Sequence, residues 1–156
     1  MKITILAISK KHDPKLRASI EDYCARLAHY TSLEWKLIEA RVTPSQSNNE
    51  IRDTESRELM KHIATGDTIF LLDETGTQLS SPELASKLQT YMNQGTKRIL
   101  LVIGGAFGVT EELRNRANFI WSLSKLVFPH QLVRLILVEQ LYRAHTILAN
   151  EKYHHI

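Results

Sequence analysis

A chain of 156 residues with 43% hydrophobic content supports one globular domain that buries about 70% of its unfolded surface, and it requires no second core. Its net charge of +3, with a sequence pI near 9.0, leans mildly toward polyanionic partners and excludes the charge density of a histone-like binder. The single cysteine, Cys24, excludes an internal disulfide and fits a reducing compartment. The apolar start is too short for a secretory core and runs into a basic, polar segment, so a cytoplasmic chain is expected.

Residues 2 to 9 carry branched side chains at 3, 5 and 8 and predict a first strand. Asp13 then caps a helix with Pro14 at its first position. Leu16, Ile20, Tyr23, Cys24 and Leu27 recur at helical spacing, which puts Cys24 on a buried stripe as a core thiol rather than a nucleophile. Residues 33 to 39 alternate as a second strand, and 41 to 49 are polar without periodicity and read as a loop. Residues 50 to 64 predict a helix facing inward through Ile51, Leu59, Met60 and Ile63, with Gly66 ending it. Residues 67 to 73 predict a third strand running into a loop, ETGTQLS. Ser81 then caps a helix begun by Pro82, with Leu84, Leu88, Tyr91 and Met92 as its stripe.

The chain is organised around residues 98 to 134. Residues 98 to 103 form a short apolar run between glycines, the pattern of a strand buried on both faces. It ends in a glycine loop, Gly104, Gly105 and Gly108, where a ligand can lie against bare backbone. Thr110 caps the next helix. Glu111 and Glu112 in its first turn suit a neutral or cationic ligand better than a polyphosphate. Residues 121 to 128, WSLSKLVF, read as a second loop leading through Pro129 and His130 into a long helix from 131 to 148. The alternation predicts an α/β fold, a mostly parallel sheet with helices on both faces, as a single domain over residues 1–156, with ligands beyond the carboxyl ends of the strands.

The last helix is apolar around much more than one stripe, from Leu132 to Leu148. Arg134, Glu139 and Arg143 argue against a membrane span, so the expectation is burial on two sides, against the sheet and against a second copy of the chain in a homodimer. The tail, NEKYHHI, adds Lys152, Tyr153, His154 and His155. With Arg134, Glu139 and Arg143 it assembles stacking, cationic and proton-accepting groups suited to a nucleobase.

Other chemistries fit poorly. The glycine loop lacks the G-x-G-x-x-G spacing and the later acidic residue of a dinucleotide site, and no G-K-[ST] of a P-loop is present. Seven histidines form no metal-binding spacing, so no metal is expected.

The motifs VIGGAFG (102–108), SLSKLVFPHQLVR (122–134), EQLYRA (139–144) and the near-terminal Tyr153-His154, with the KITILA start, resemble the RlmH family of ribosomal RNA large-subunit methyltransferases within the SPOUT superfamily. The resemblance covers the whole chain. It implies a trefoil-knotted α/β fold acting as a homodimer. The implied reaction is transfer of a methyl group from S-adenosyl-L-methionine to N3 of a pseudouridine in helix 69 of 23S rRNA, on the large subunit or the assembled ribosome. By motif, the donor site is Leu72, Gly104, Leu123, Ser124, Lys125, Leu126, Val127 and Phe128. The RNA side is Glu139, Arg143, Tyr153 and His154, the tail of one subunit completing the site of the other. His155 stands where a basic residue is usual, so its phosphate contact depends on protonation. Either Glu139 or His154 could accept the N3 proton, with Arg143 at the developing oxyanion. The competing reading is a non-catalytic α/β module that binds a small ligand or the ribosome.

Overall fold

The computed structural model describes every residue except Lys10 and Ile156, so Ile156, the end of the tail expected at the target base, lies outside the described residues. Among the described residues, five strands alternate with five helices in the order β1 (Lys2–Ile8), α1 (Pro14–Leu27), β2 (Ser32–Ile38), α2 (Asn48–Met60), β3 (Thr68–Gln78), α3 (Ser81–Asn93), β4 (Arg98–Ile103), α4 (Glu111–Asn115), β5 (Phe119–Ser122) and α5 (His130–Leu148). The strands form one sheet, ordered β2-β1-β4-β3-β5, and every pairing is parallel.

The period of two along the central strands divides the core. Ile3, Ile5 and Ala7 of β1, with Ile99, Leu101 and Ile103 of β4, point to the face covered by α1, α3 and α5. Leu6, Leu100 and Val102 point to the opposite face, where Leu59 of α2 and Leu113 of α4 meet them. Burial on both faces explains why these strands read as continuous apolar runs.

Local capping corrects three boundaries. Ser47 and Ser80, each three residues before a glutamate, form capping boxes with Glu50 and Glu83, so α2 begins two residues early and Ser80 caps α3 in place of Ser81. Ser81 donates instead to Gln140 Oε1 on α5 at 2.7 Å. Helix α2 stops at Met60, because His62 and Ile63 bond back three residues in tight turns before Gly66.

Two further corrections bear on the site. ETGTQ is strand, not loop: β3 slips register after Leu72 and resumes with Thr77 opposite Trp121 and Gln78 opposite Ser122. Gly76 permits this crossing, since a Cβ there would lie 2.6 Å from the Ile120 carbonyl oxygen. The start of WSLSKLVF is likewise strand, the end of edge strand β5. Residues 123 to 129 then double back to the tips of β4 and β1, where α5 begins. His130 meets Gly104 there, and Gln131 Oε1 accepts from the Asp13 amide at 3.0 Å.

Helix α5 buries Leu137, Val138, Leu141 and Ala144 completely, while Leu132, Leu135, Ile136, Tyr142, Ile147 and Leu148 stay half-buried along its remaining surface. Of these, Leu135, Ile147 and Leu148 pack against the core and Tyr142 against Tyr23 and Tyr30, so part of the surplus apolar character noted in the sequence is absorbed within the chain itself.

Candidate functional site

The tips of β3, β4 and β5 open on a cleft of about 450 Å³. Leu72 at the β3 bend, together with Ile103 and Trp121 at or next to the ends of β4 and β5, gives it an apolar floor. The glycine loop forms one wall, residues 123 to 128 another, and His130 and Val133 of α5 close it. The glycine loop is a tight turn in which the Gly108 amide donates to the Gly105 carbonyl at 3.1 Å. A Cβ on Gly104 would lie 2.7 Å from Val109 Cγ1, so only glycine lets the loop pack this closely on itself. His130 pins the turn: its Nε2 lies 2.6 Å from the Gly104 carbonyl oxygen, which can only accept, so the ring carries its proton on Nε2. Burial pulls the His130 imidazole below its ordinary value, with the Gly104 bond opposing and the nearby Arg134 adding to the fall.

Of the eight positions expected at a donor, all but Lys125 line this cleft; Lys125 is exposed outside it. The loop hydroxyls serve the loop. Ser124 Oγ accepts from the Leu126 amide at 2.9 Å, and Ser122 Oγ donates to the Ser124 carbonyl at 2.9 Å. Leu126 and Val127 remain 71% and 80% exposed, an apolar lip unusual for a finished surface.

Glu111 and Glu112 do not reach the cleft; both are exposed, and Glu112 borders a separate hollow with Asp53 and Ser56. The acids of the cleft are Asp73 and Glu74, just beyond the β3 bend, and its lining includes no Lys or Arg among the described residues. Burial pushes the Asp73 carboxyl up, but Thr75's hydroxyl and amide, with the Arg114 guanidinium 3.1 Å away, prevail and hold it below the usual carboxylate value.

A second cluster lies on α5. Glu139 accepts from Arg143 Nε at 3.0 Å and Nη2 at 2.5 Å, from the Tyr153 hydroxyl at 3.1 Å, and from Gln140 at 2.6 Å. The Arg143 guanidinium sits 4.7 Å from the centre of the Tyr153 ring, and its Nη1 is 3.5 Å from His154 Nδ1. Tyr142 packs edge-on against Tyr153 at 4.8 Å, and the Tyr23 hydroxyl is 3.3 Å from that of Tyr153. Burial, then the Tyr23 and Glu139 contacts, push the Tyr153 phenol well above its ordinary value. The structure thus brings Glu139, Arg143, Tyr153 and His154 together, while His155 is exposed. At 1.5 Å per residue, Glu139 and Arg143 lie roughly 13 and 20 Å along the helix from His130 at the cleft.

Arg134 does not belong to that cluster. It is fully buried and donates to the Ile8 and Lys11 carbonyls and to His12 Nδ1, holding the turn between β1 and α1. Cys24 accepts from Trp35 Nε1 at 3.3 Å, and burial raises its thiol, as a core cysteine requires. Sequence reasoning passed over Glu74 and Trp121 as cleft residues. The apolar run Phe119-Ile120-Trp121 was a signal for Trp121, but it is short.

A family model described as "Predicted SPOUT methyltransferase" matches residues 1–154. The chain belongs to the SPOUT methyltransferase family. Among its relatives, proteins named "Ribosomal RNA large subunit methyltransferase H" are 42% identical over 156 residues in Christiangramia forsetii, 41% over 155 in Geobacter metallireducens and 39% over 158 in Acetivibrio thermocellus, each alignment covering 99% of both chains. A solved structure, a probable methylase family protein from Haemophilus influenzae Rd KW20, is similar in fold, with a TM-score of 0.56 at 14% identity, over 99% of this chain and 70% of that one.

Proposed function

We propose that this SPOUT protein transfers a methyl group from S-adenosyl-L-methionine to N3 of a pseudouridine in helix 69 of 23S rRNA, acting in the cytoplasm as a homodimer on the large subunit or assembled ribosome. The observation that carries the donor assignment is the cleft: an apolar floor for an aromatic base, bare glycine backbone, and the carboxyls of Glu74 and of Asp73, the latter paired with Arg114 outside the cleft, with no Lys or Arg among the described lining residues, a lining that tolerates a cation. The relatives named for large-subunit ribosomal RNA support the substrate.

When bound, S-adenosylmethionine supplies a methyl group already activated on a sulfonium. The chain's residues must then align the target and manage its proton. Gly104, Leu123, Ser124, Leu126, Val127 and Phe128 hold the donor's place, with Leu126 and Val127 excluding water once covered. Arg143 stabilises negative charge developing on the uracil oxygens, and Tyr153 offers a stacking face. Both Glu139 oxygens are already engaged, so Glu139 orients Arg143 and Tyr153. His154 meets Arg143 only at 3.5 Å, the outer limit of a hydrogen bond, and takes the N3 proton.

A tail some 20 Å along α5 from its own cleft serves a cleft only across a two-fold axis. The half-buried face of α5 is the surface available for that pairing. The trefoil knot implied by the family resemblance belongs to the same proposal.

The test is incubation with methyl-labelled S-adenosylmethionine and either large-subunit particles, assembled ribosomes or free 23S rRNA, followed by mass spectrometry of the nucleosides. One labelled N3-methylpseudouridine per particle is expected. Tight donor binding with no transfer to any substrate would favour a non-catalytic binding module.

A further inference from the structure

The glycine loop is held from two sides, and only one holder belongs to the cleft. His130 grips Gly104 from α5. From the other face of the sheet, α2 presses two consecutive side chains under the same loop. Ser56, almost completely buried, accepts from the Thr110 amide at 3.0 Å where α4 begins. Glu55 lies beside it, 9% exposed, and its carboxyl abuts the backbone of Gly105: a Cβ built there would fall 1.9 Å from Glu55 Oε2 and 2.6 Å from the carboxyl carbon. That oxygen has no hydrogen-bond partner among the described residues. A buried acid with an unsatisfied oxygen lowers stability, so its retention needs a reason beyond packing.

We propose that Glu55 is a positioning residue for the methyl-donor site: through its contact with Gly105 it sets the shape of the glycine loop and thereby donor affinity, without touching the donor. The proposal rests on the assignment of the cleft to S-adenosylmethionine. Three features support it. Glu55 is not part of the cleft lining, whereas Gly105 is. The nearest atoms that a Cβ at 105 would meet all belong to Glu55's carboxyl and not to backbone, so a side chain there must displace Glu55, and Gly105 does not have the left-handed backbone that would demand glycine anyway. Burial also raises the Glu55 carboxyl above its ordinary value, so a neutral isostere should replace it.

The experiment is a double-mutant cycle on the full-length protein, read as S-adenosylmethionine affinity by calorimetry and as kcat on large-subunit particles at saturating donor. Gly105→Ala should weaken donor binding about 30-fold in the wild-type background but less than about threefold when Glu55 is also alanine, because the added methyl then occupies the vacated space. Glu55→Ala alone should weaken binding about tenfold and leave kcat within about threefold, and Glu55→Gln should restore affinity to within about threefold of wild type. An equal penalty for Gly105→Ala in both backgrounds overturns the proposal. So does a folded Glu55→Ala protein with wild-type donor affinity, or one that loses kcat instead of affinity. If wild-type protein binds no S-adenosylmethionine, the cleft assignment fails first and takes the Glu55 proposal with it.

Discussion

The cleft and the α5 cluster are built from opposite materials. The cleft is made chiefly of strand tips and backbone: glycines, short loop hydroxyls turned onto their own loop, and an apolar floor. The cluster is made of long side chains, with Glu139 at its centre taking three side chains at once and the tail laid over them. One is a shape that a ligand enters; the other is a set of charges and rings that a ligand meets. On the function proposed above, the difference makes donor binding and target activation separable, assigned to regions that in one chain lie roughly 13 to 20 Å apart along α5.

The strongest break of this division is removal of residues 153 to 156. Methyl transfer to large-subunit particles should fall about 100-fold or more, while calorimetric donor affinity stays within about twofold. The single change His154→Ala should act in the same direction. If affinity collapsed in step with transfer, the tail would belong to the donor cleft and the two regions would be one site.

Gly104→Val tests the converse. The first added carbon meets Val109 Cγ1 at 2.7 Å and the Gly108 carbonyl at 3.3 Å, so the damage is distortion of the loop itself. Donor affinity should fall about 30-fold or more, with the melting temperature lowered by a few degrees, as expected for overpacking. A variant that binds donor normally would remove the glycine loop from the site.

A finer probe is Arg143→Lys, which keeps the charge but not the two-pronged hold on Glu139 or the planar face on Tyr153. A loss of about tenfold in kcat with unchanged donor affinity is expected, because the oxyanion partner is misplaced rather than removed. Loss of affinity instead would put Arg143 on the donor side.

The two regions were legible in the sequence to different degrees. The cleft follows from glycine spacing and strand ends, which are local signals, and β4 ends where its apolar run meets Gly104. Edge strand β5 and the continuation of β3 escaped because Phe119 to Ser122 is only four residues long and Glu74 to Gln78 is polar, and their pairing is set by each other across more than 40 residues. The α3 cap could have been placed, since Ser80-x-x-Glu83 is a capping-box pattern and Ser81-x-x-Leu84 is not. Glu55 could not: in the run DTESRE it looks like one solvated acid among several, and only the chain returning at Gly105 buries it. Arg134 failed in the other direction, since an arginine two turns from Arg143 invites grouping although its guanidinium is fully enclosed against β1.

The smallest expected effect concerns stability and separates α5's buried side from both regions. His145 is 5% exposed; its Nδ1–H donates to the Leu141 carbonyl at 2.8 Å, and its Nε2 has no partner among the described residues. A proton added at Nε2 would be a buried, unpaired charge, so burial lowers this imidazole from its ordinary 6.5, with the Leu141 bond opposing. The unfolded chain then takes up the proton first. Stability is therefore full above about pH 6.5 and declines as pH falls from there toward the folded value, with no gain on going more alkaline. His12 and His130, also lowered by burial, add in the same sense and the same window. Glu55, raised by burial, acts oppositely and nearer its ordinary 4.5. Thermal melts should show a lower Tm at pH 5.5 than at pH 7.5, and the gap should narrow in His145→Gln. An equal gap in both proteins would mean that His145 is not held neutral, and that α5 is less tightly sealed against α1 than its geometry indicates.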